Sequence, residues 1–412
     1  MMSAKCTIQL GMIILLLSCG PALQSNTVES KPEKVVVTEV PAILEPLPAA
    51  VNVPSYLQIL KGKNVAVVAN QTSMIQGTHM VDSLIALGID VRHIYTPEHG
   101  FRGDADAGAH INDEKDQKTG LQIYSLHGKS KKPSAESLKN IDIVLFDIQD
   151  VGVRFYTYIS TLHYVMEACA ESGVKIIVLD RPNPLANTID GPTLDPKFSS
   201  FIGKHPVPMV YGMTIGEYAL MINGEGWLKE KLKAELQVIP CLNYDHQTQY
   251  NLPIPPSPNL PNQASVYLYP SLCLFEGTVV SLGRGTDHPF EIAGHPDFEI
   301  GAYKFTPLPN RGSSDPPLKG KLCKGQFYGP ERAQKVHDSR QLDLSILLTF
   351  YNELSPKLQF FNADGFFELL AGTDVLRRQI EQGMSEEEIR ISWQEDLEKF
   401  KVTRKKYLIY QD

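Results

Sequence analysis

The chain has 412 residues, 42% of them hydrophobic and 21% charged, with a formal net charge of −8 at pH 7. This is the composition of a soluble globular protein with room for two domains and a sizeable core. The acidic balance excludes nucleic acid as the main partner, since no basic stripe offsets it; Lys129, Lys131 and Lys132 form a small basic cluster that reads as a solvated loop.

At the N-terminus Lys5 precedes an apolar run, Ile8 to Leu17, with the length of a signal h-region and too short to span a bilayer comfortably. It ends in Leu16-Leu17-Ser18-Cys19-Gly20, which resembles a bacterial lipobox. Residues 1–19 are therefore expected to be a lipoprotein signal peptide, with Cys19 lipidated as the first mature residue. Several acyl chains on one cysteine suffice for stable anchoring. The expected location is exported, in the periplasm or cell envelope, with the membrane engaged through the lipid. A plain secretory signal or a short membrane anchor is the alternative. Residues 20–55, rich in Pro, Glu, Val and Ser without helical period, read as a flexible tether. Of the remaining cysteines, Cys169 and Cys273 read as core residues, and the spacing with Cys241 and Cys323 matches no zinc pattern.

The folded part begins near Tyr56. Lys63 to Asn70 predicts a buried strand, His79 to Leu87 a helix stopped by Gly88, and Val91 to Tyr95 a second strand running into Thr96-Pro97-Glu98-His99-Gly100. A Gly- and Asp-rich loop follows, then a short strand over Leu121–Leu126 and a short helix over Ser134–Lys139. Ile141 to Asp147 predicts a strand buried on both faces. It opens into a turn dense in polar groups (Gln149, Asp150, Arg154, Tyr156, Thr157, Tyr158) and a helix to Gly173. Lys175 to Asp180 makes the next strand. Thr214 with Glu217 forms a capping box for a helix through Asn223, and Glu235 to Ile239 reads as a strand. Pro253 to Pro261 is a stiff, proline-rich extended segment. From about Glu299 the pattern becomes a smaller α+β unit, with helices over Leu342–Leu354 and Asp374–Gln382 and one opened by the Ser385/Glu388 capping box.

Alternating strands and helices of these lengths imply a parallel α/β sheet with right-handed crossovers. All strands then point one way, so Asn70, Glu98, Asp147 and Asp180 are expected along one edge, with Arg102, Arg154 and Arg181 just beyond. Such edges carry ligand crevices. No GxGxxG follows the first strand, so no dinucleotide, and no other cofactor, is expected. Gly283-Arg284-Gly285-Thr286 lacks the lysine of a phosphate loop and reads as a turn presenting Arg284 to the crevice.

Within this edge, Glu98 is the candidate general acid: a carboxyl partly shielded and near other acids should titrate high, as a general acid requires. Asp147, Asp150 and Glu276 are the candidate second carboxylates, since paired acids flanking one bond are the general requirement of glycoside hydrolysis. Tyr156, Tyr158 and Tyr211 offer flat faces suited to sugar rings. Asn70, His99, Arg102, Gln149, Asp180, Arg181 and Arg284 complete the expected binding set. His99, Asp104, Asp106 and His110 have no metal-site spacing, and no metal is expected.

Seven motifs in order, TPEHGFRG, FDIQDVGVRFYTYISTL, LDRPNP, YGMTIGE, PSPNLPN, FEGTVVSLGRGT and AGTDVLRRQIEQG…RKKYLIY, resemble the exo-acting β-N-acetylmuramidases of the NamZ type over residues 56 to 412. The resemblance implies a Rossmann-like catalytic domain, placed at 56–298, followed by a smaller α+β C-terminal domain at 299–412. It implies release of terminal N-acetylmuramic acid from the non-reducing ends of peptidoglycan fragments, muropeptides or muramyl disaccharide, and places the proposed catalytic glutamate on Glu98. The sugar's lactyl carboxylate gives the arginines a purpose, because a guanidinium binds carboxylate through two aligned hydrogen bonds; Arg154, Arg181 and Arg284 are the candidates. The alternative function is a non-catalytic surface lipoprotein that binds muropeptides or other glycans. A phosphoryl- or nucleotide-binding enzyme would rest on fold analogy and the Gly283–Thr286 turn alone.

Overall fold

A computed structural model of the protein describes residues 44–101, 113–128 and 130–412. Its centre is a seven-stranded sheet. In chain order the strands are β1 (Asn64–Ala69), β2 (Asp90–Thr96), β3 (Glu114–Lys115), β4 (Gln122–Ser125), β5 (Ile143–Asp147), β6 (Lys175–Leu179) and β7 (Leu236–Ile239). Their spatial order is β7-β6-β5-β1-β2-β4-β3, parallel throughout except for β3, which runs antiparallel to β4. The chain builds outward from β1 through β2 and β4, then crosses back to lay β5 on the other side of β1. That reversal makes a topological switch point between β1 and β5, where open α/β sheets take their ligands.

The inner strands are buried on both faces, as their unbroken apolar runs require. Val65, Val67, Leu145, Ile177 and Leu179 pack on one side with Tyr56, Leu60, Met80 and Leu84. The alternate residues Ala66, Val68, Val144, Phe146, Ile176 and Val178 pack on the other. The helices include α1 (Pro54–Leu60), α2 (Met80–Ala86), α3 (Tyr158–Ser172), α4 (Ile215–Gly224) and α5 (Gln263–Leu272). Both capping boxes read from the sequence are present, Thr214 with Glu217 and Ser385 with Glu388. Ser134–Lys139 is not a helix but a set of turns. One i→i+4 bond forms there and the rest close after three residues, so the short stretch never nucleates a regular helix. The aromatic run from Tyr267 falls in α5, opened by an Asn262 cap.

The C-terminal part carries a three-stranded antiparallel sheet of β8 (Ile292–His295), β9 (Tyr303–Phe305) and β10 (Cys323–Phe327), in the order β8-β10-β9. Its helices are α6 (Gly329–Ser339), α7 (Leu344–Leu354), α8 (Phe366–Ala371), α9 (Val375–Glu381) and α10 (Glu386–Arg404). Phe350, Phe367, Trp393 and Phe400 join Phe146 and Leu162 in one continuous core, and Leu44–Asp412 forms one compact unit. The tail after α10 returns to the main sheet. Tyr410 donates its hydroxyl to Asp180 at 2.7 Å, Ile409 N–H donates to Glu217 at 2.9 Å, and Asp412 accepts from Arg404 at 2.7 Å. His246 lies between Glu217 and Asp412, 2.9 Å from each. Cys169, Cys241, Cys273 and Cys323 are buried free thiols.

Candidate active site

The parallel sheet delivers its strand ends to one edge, but the acids there have different fates. Asp147, at the end of β5, is fully buried and takes both donors of the equally buried Arg181, Nε at 2.6 Å and Nη2 at 2.9 Å. Asp180, just past β6, accepts from the Thr214 hydroxyl, the Gly216 N–H and Tyr410, each at 2.7 Å. Burial pushes its carboxyl up to about 7. Asp150 accepts from Gly152 N–H at 2.7 Å and from the Tyr211 hydroxyl, and burial raises it to about 6. These placements correct the expectation of Asp147 and Asp150 as catalytic partners, and of Asp180 and Arg181 as substrate ligands. Each is sealed from solvent and joined to protein groups from other segments.

Arg154 is a second correction. It is fully buried, and its Nη atoms donate to the carbonyls of Pro192 and Val207, both at 2.8 Å, and of Leu370 and Ala371 at 3.0 and 2.7 Å. Burial pulls its pKa down to about 9, still above neutrality, so the cation persists with four carbonyls in place of water. It fastens α8 to the sheet-bearing part and does not face the cleft. Gln149 is likewise inward, donating to the Asp150 and Pro182 carbonyls at 2.8 Å. Asn70 accepts from Thr72 and donates to Tyr158 at 3.0 Å, supporting the cleft floor from below. Arg102 and the loop residues Asp104, Asp106 and His110 lie outside the described residues, as does Cys19.

Glu98 stands apart. It follows β2 by two residues, and its side chain is 16% exposed in a cleft lined by His99, Tyr156, Tyr158, Ser257, Arg284 and Phe290. The Thr157 hydroxyl donates to Oε2 at 3.0 Å, and His127 Nε2 lies 3.9 Å from Oε1. Tyr156 donates to the Pro256 carbonyl at 2.8 Å, which draws the proline-rich segment over the cleft and brings Ser257 to 3.1 Å from His99 Nε2. Burial raises the phenols of Tyr156 and Tyr158, so both remain protonated, neutral walls. Two lining residues that are not glycine, His99 at φ 71° and Phe290 at φ 57°, sit in the left-handed region. Such conformations cost about 1–3 kcal/mol and persist where surrounding structure imposes them. The cleft is a preset cavity.

Arg284 reaches the cleft from the Gly283–Thr286 turn, with Gly283 at φ 83° and Gly285 at φ 78° on either side. A Cβ on Gly285 would come within 2.5 Å of the Leu308 carbonyl, so only glycine fits the turn that aims Arg284. Its Nε and Nη2 donate to Glu276 Oε1 at 2.8 and 2.5 Å, and the guanidinium lies 5.0 Å from the Phe290 ring centre. Glu276 is thereby a partner of Arg284 and not a second acid of the cleft. Among the described lining residues Glu98 is the sole carboxylate. Among the described residues no group of three His, Cys, Asp or Glu side chains is disposed to hold a metal.

His127 and Thr157 are contacts of Glu98 that the sequence reading did not assign. His127 follows β4, the neighbour of β2, so the parallel-sheet rule that gathered Asn70, Glu98, Asp147 and Asp180 would also have placed it. Thr157 lies inside the polar turn already singled out. Ser257 sits in a segment whose prolines drew attention from its hydroxyl.

Two family models match, one described as exo-β-N-acetylmuramidase NamZ, N-terminal, over residues 65–264, the other as the C-terminal part over residues 267–410. The chain is 41% identical over 378 residues to the peptidoglycan β-N-acetylmuramidase NamZ of Bacillus subtilis, covering 87% of this chain and 89% of that one. A crystal structure of a DUF1343 family protein from Bacteroides fragilis superposes with a TM-score of 0.83 at 47% identity, covering 90% of this chain and all of that one. A second such protein from the same organism gives a TM-score of 0.76 at 27% identity, covering 89% and 99%. The chain belongs to the NamZ family of exo-β-N-acetylmuramidases.

Proposed function

We propose that the protein is an exo-acting glycoside hydrolase that releases N-acetylmuramic acid from the non-reducing ends of peptidoglycan fragments, serving cell-wall turnover and recycling. The observation that carries the reading is Glu98: a largely shielded carboxyl, held by Thr157 in a preset aromatic cleft, on the family-matched part of the chain. As general acid it gives its proton to the glycosidic oxygen while the bond to the anomeric carbon breaks; water supplies the hydroxyl to that carbon, and the water's remaining proton restores the Glu98 carboxyl. Arg284 is the residue best placed to read the lactyl carboxylate, because Arg154 and Arg181 are spent on buried partners while Arg284 lines the cleft. Incubation with N-acetylmuramyl-β-1,4-N-acetylglucosamine should yield the two free sugars. Binding of the disaccharide without cleavage would instead favour the non-catalytic glycan-binding alternative.

The finer reading is that Cys19 is lipidated and anchors the protein at the periplasmic face of the cell envelope, supported by the Leu-Leu-Ser-Cys pattern after a short apolar run. Cys19→Ala should move the protein from the membrane to the soluble fraction. An unmodified chain cut elsewhere, seen by mass spectrometry, would rule the anchor out.

A further inference from the structure

Beside the cleft, and outside its lining, a second group of side chains adjoins Glu98. His127, 3.9 Å from the Glu98 carboxylate, has its ring centre 6.0 Å from that of Phe201. Phe201 stands with Ile202 at the tip of a tight turn closed by Ser200 N–H to the Gly203 carbonyl at 2.8 Å. Tyr164 of α3 lies nearly parallel to it, at 18° and 6.2 Å. Lys131 Nζ sits 4.0 Å from the Phe201 ring centre, and Lys204 donates to the Tyr164 hydroxyl at 3.0 Å. Neither lysine has a carboxylate partner among the described residues, although Lys132 beside them pairs with Glu167 and Glu171. A half-exposed phenylalanine at a turn tip, flanked by two cations with no acid partner among the described residues, is an unusual surface feature.

A general acid must touch the leaving oxygen, so the departing part of the substrate lies immediately past Glu98. The aromatic cleft, with Arg284, holds the sugar to be released. His127 also adjoins Glu98 but lies outside that lining, and its ring stands next to Phe201. Resting on the muramidase reading above, we propose that Phe201, backed by Tyr164, is the subsite for the departing N-acetylglucosamine unit, with Lys131 and Lys204 receiving carboxylates of the peptide-bearing residue beyond it. The apolar face of a pyranose covers a phenyl ring. Lactyl and peptide carboxylates meet the two ammonium groups, on a protein whose net charge of −8 would otherwise repel them.

Two substrates separate this subsite from the catalytic centre. The disaccharide fills both sides of Glu98, whereas β-N-acetylmuramyl fluoride has no departing sugar. Phe201→Ala and the milder Phe201→Leu should lower kcat/KM on the disaccharide by about tenfold and threefold, mainly through KM, while fluoride turnover stays within twofold. Lys131→Ala/Lys204→Ala should lose about tenfold on a peptide-bearing tetrasaccharide at low salt, with the loss shrinking as salt rises. Equal losses on fluoride and disaccharide would make Phe201 a support for His127 and overturn the subsite, as would unchanged kinetics on every substrate. A wild-type protein inactive on both substrates would sink the muramidase reading, and the subsite with it, a result distinct from either.

Discussion

The end of β2 and the ends of β5 and β6 carry the same sequence signature, an acid closing an apolar strand, yet they do opposite work. Asp147 and Asp180 lie under later parts of the chain, where Arg181, Thr214 and Tyr410 occupy their oxygens. Glu98 is touched by the Thr157 hydroxyl and lies near His127 in an aromatic cleft, and it keeps a path to solvent. An acid at a strand end is thus a position with potential. Whether the chain returns to cap it decides between a structural knot and a reactive group.

The sharpest way to break the comparison is to neutralise both kinds of acid. Glu98→Gln should lower disaccharide turnover by about a thousandfold or more with unchanged melting temperature, and should hurt an aryl muramide with a good leaving group less. Asp147→Asn should instead strike stability, by about 3–5 kcal/mol, because it leaves the Arg181 cation buried without its counter-charge; urea unfolding reads this directly. Arg154→Ala belongs with Asp147: about 3 kcal/mol or more should be lost as four carbonyls lose their donor, with the sugar preference of the folded remainder unchanged. Arg284→Ala should do the converse. Stability should fall less than in those variants, because the Glu276 it leaves is 22% exposed, and the preference for N-acetylmuramic acid over N-acetylglucosamine should fall by about 1.5–3 kcal/mol, read as a ratio of kcat/KM.

The smallest effect concerns pH. Asp150 has its folded pKa raised to about 6 from an ordinary 3.8, so the folded state holds the proton more tightly. Its favourable contribution is complete below 3.8 and is lost as pH rises through 6. Asp150→Asn, which stays neutral, should therefore gain on the wild type by about 2 kcal/mol between pH 4 and pH 7. Melting curves at the two pH values that run parallel for both proteins would remove Asp150 from the buried-acid class.

Much of this arrangement was legible in the sequence. The apolar runs gave strands β1, β2, β5 and β6 to within a residue or two, and the parallel rule put Asn70, Glu98, Asp147 and Asp180 on one edge. What the sequence could not show is which oxygens would be taken. Arg154 looks like a crevice residue because it follows a strand end, but its acceptors are carbonyls of Pro192, Val207, Leu370 and Ala371. A carbonyl acceptor leaves no side-chain trace in the sequence, and two of these lie more than 200 residues away. His127 was missed for a different reason. It obeys the same rule as Glu98, but its strand is short and sits beyond β2, so nothing local marks it.

The return of the tail to the sheet sets a timetable for manufacture. Tyr410 reaches the ribosome's exit 230 residues after Asp180, its hydrogen-bond partner. At roughly 5–20 residues per second that is a delay on the order of 10–50 seconds. During that interval the nascent sheet carries Asp180 and Glu217 without the groups that finally cover them, and cannot close. A chain stalled on the ribosome before Arg404 should remain open to protease at the β6 edge, and release of the last residues should shut it.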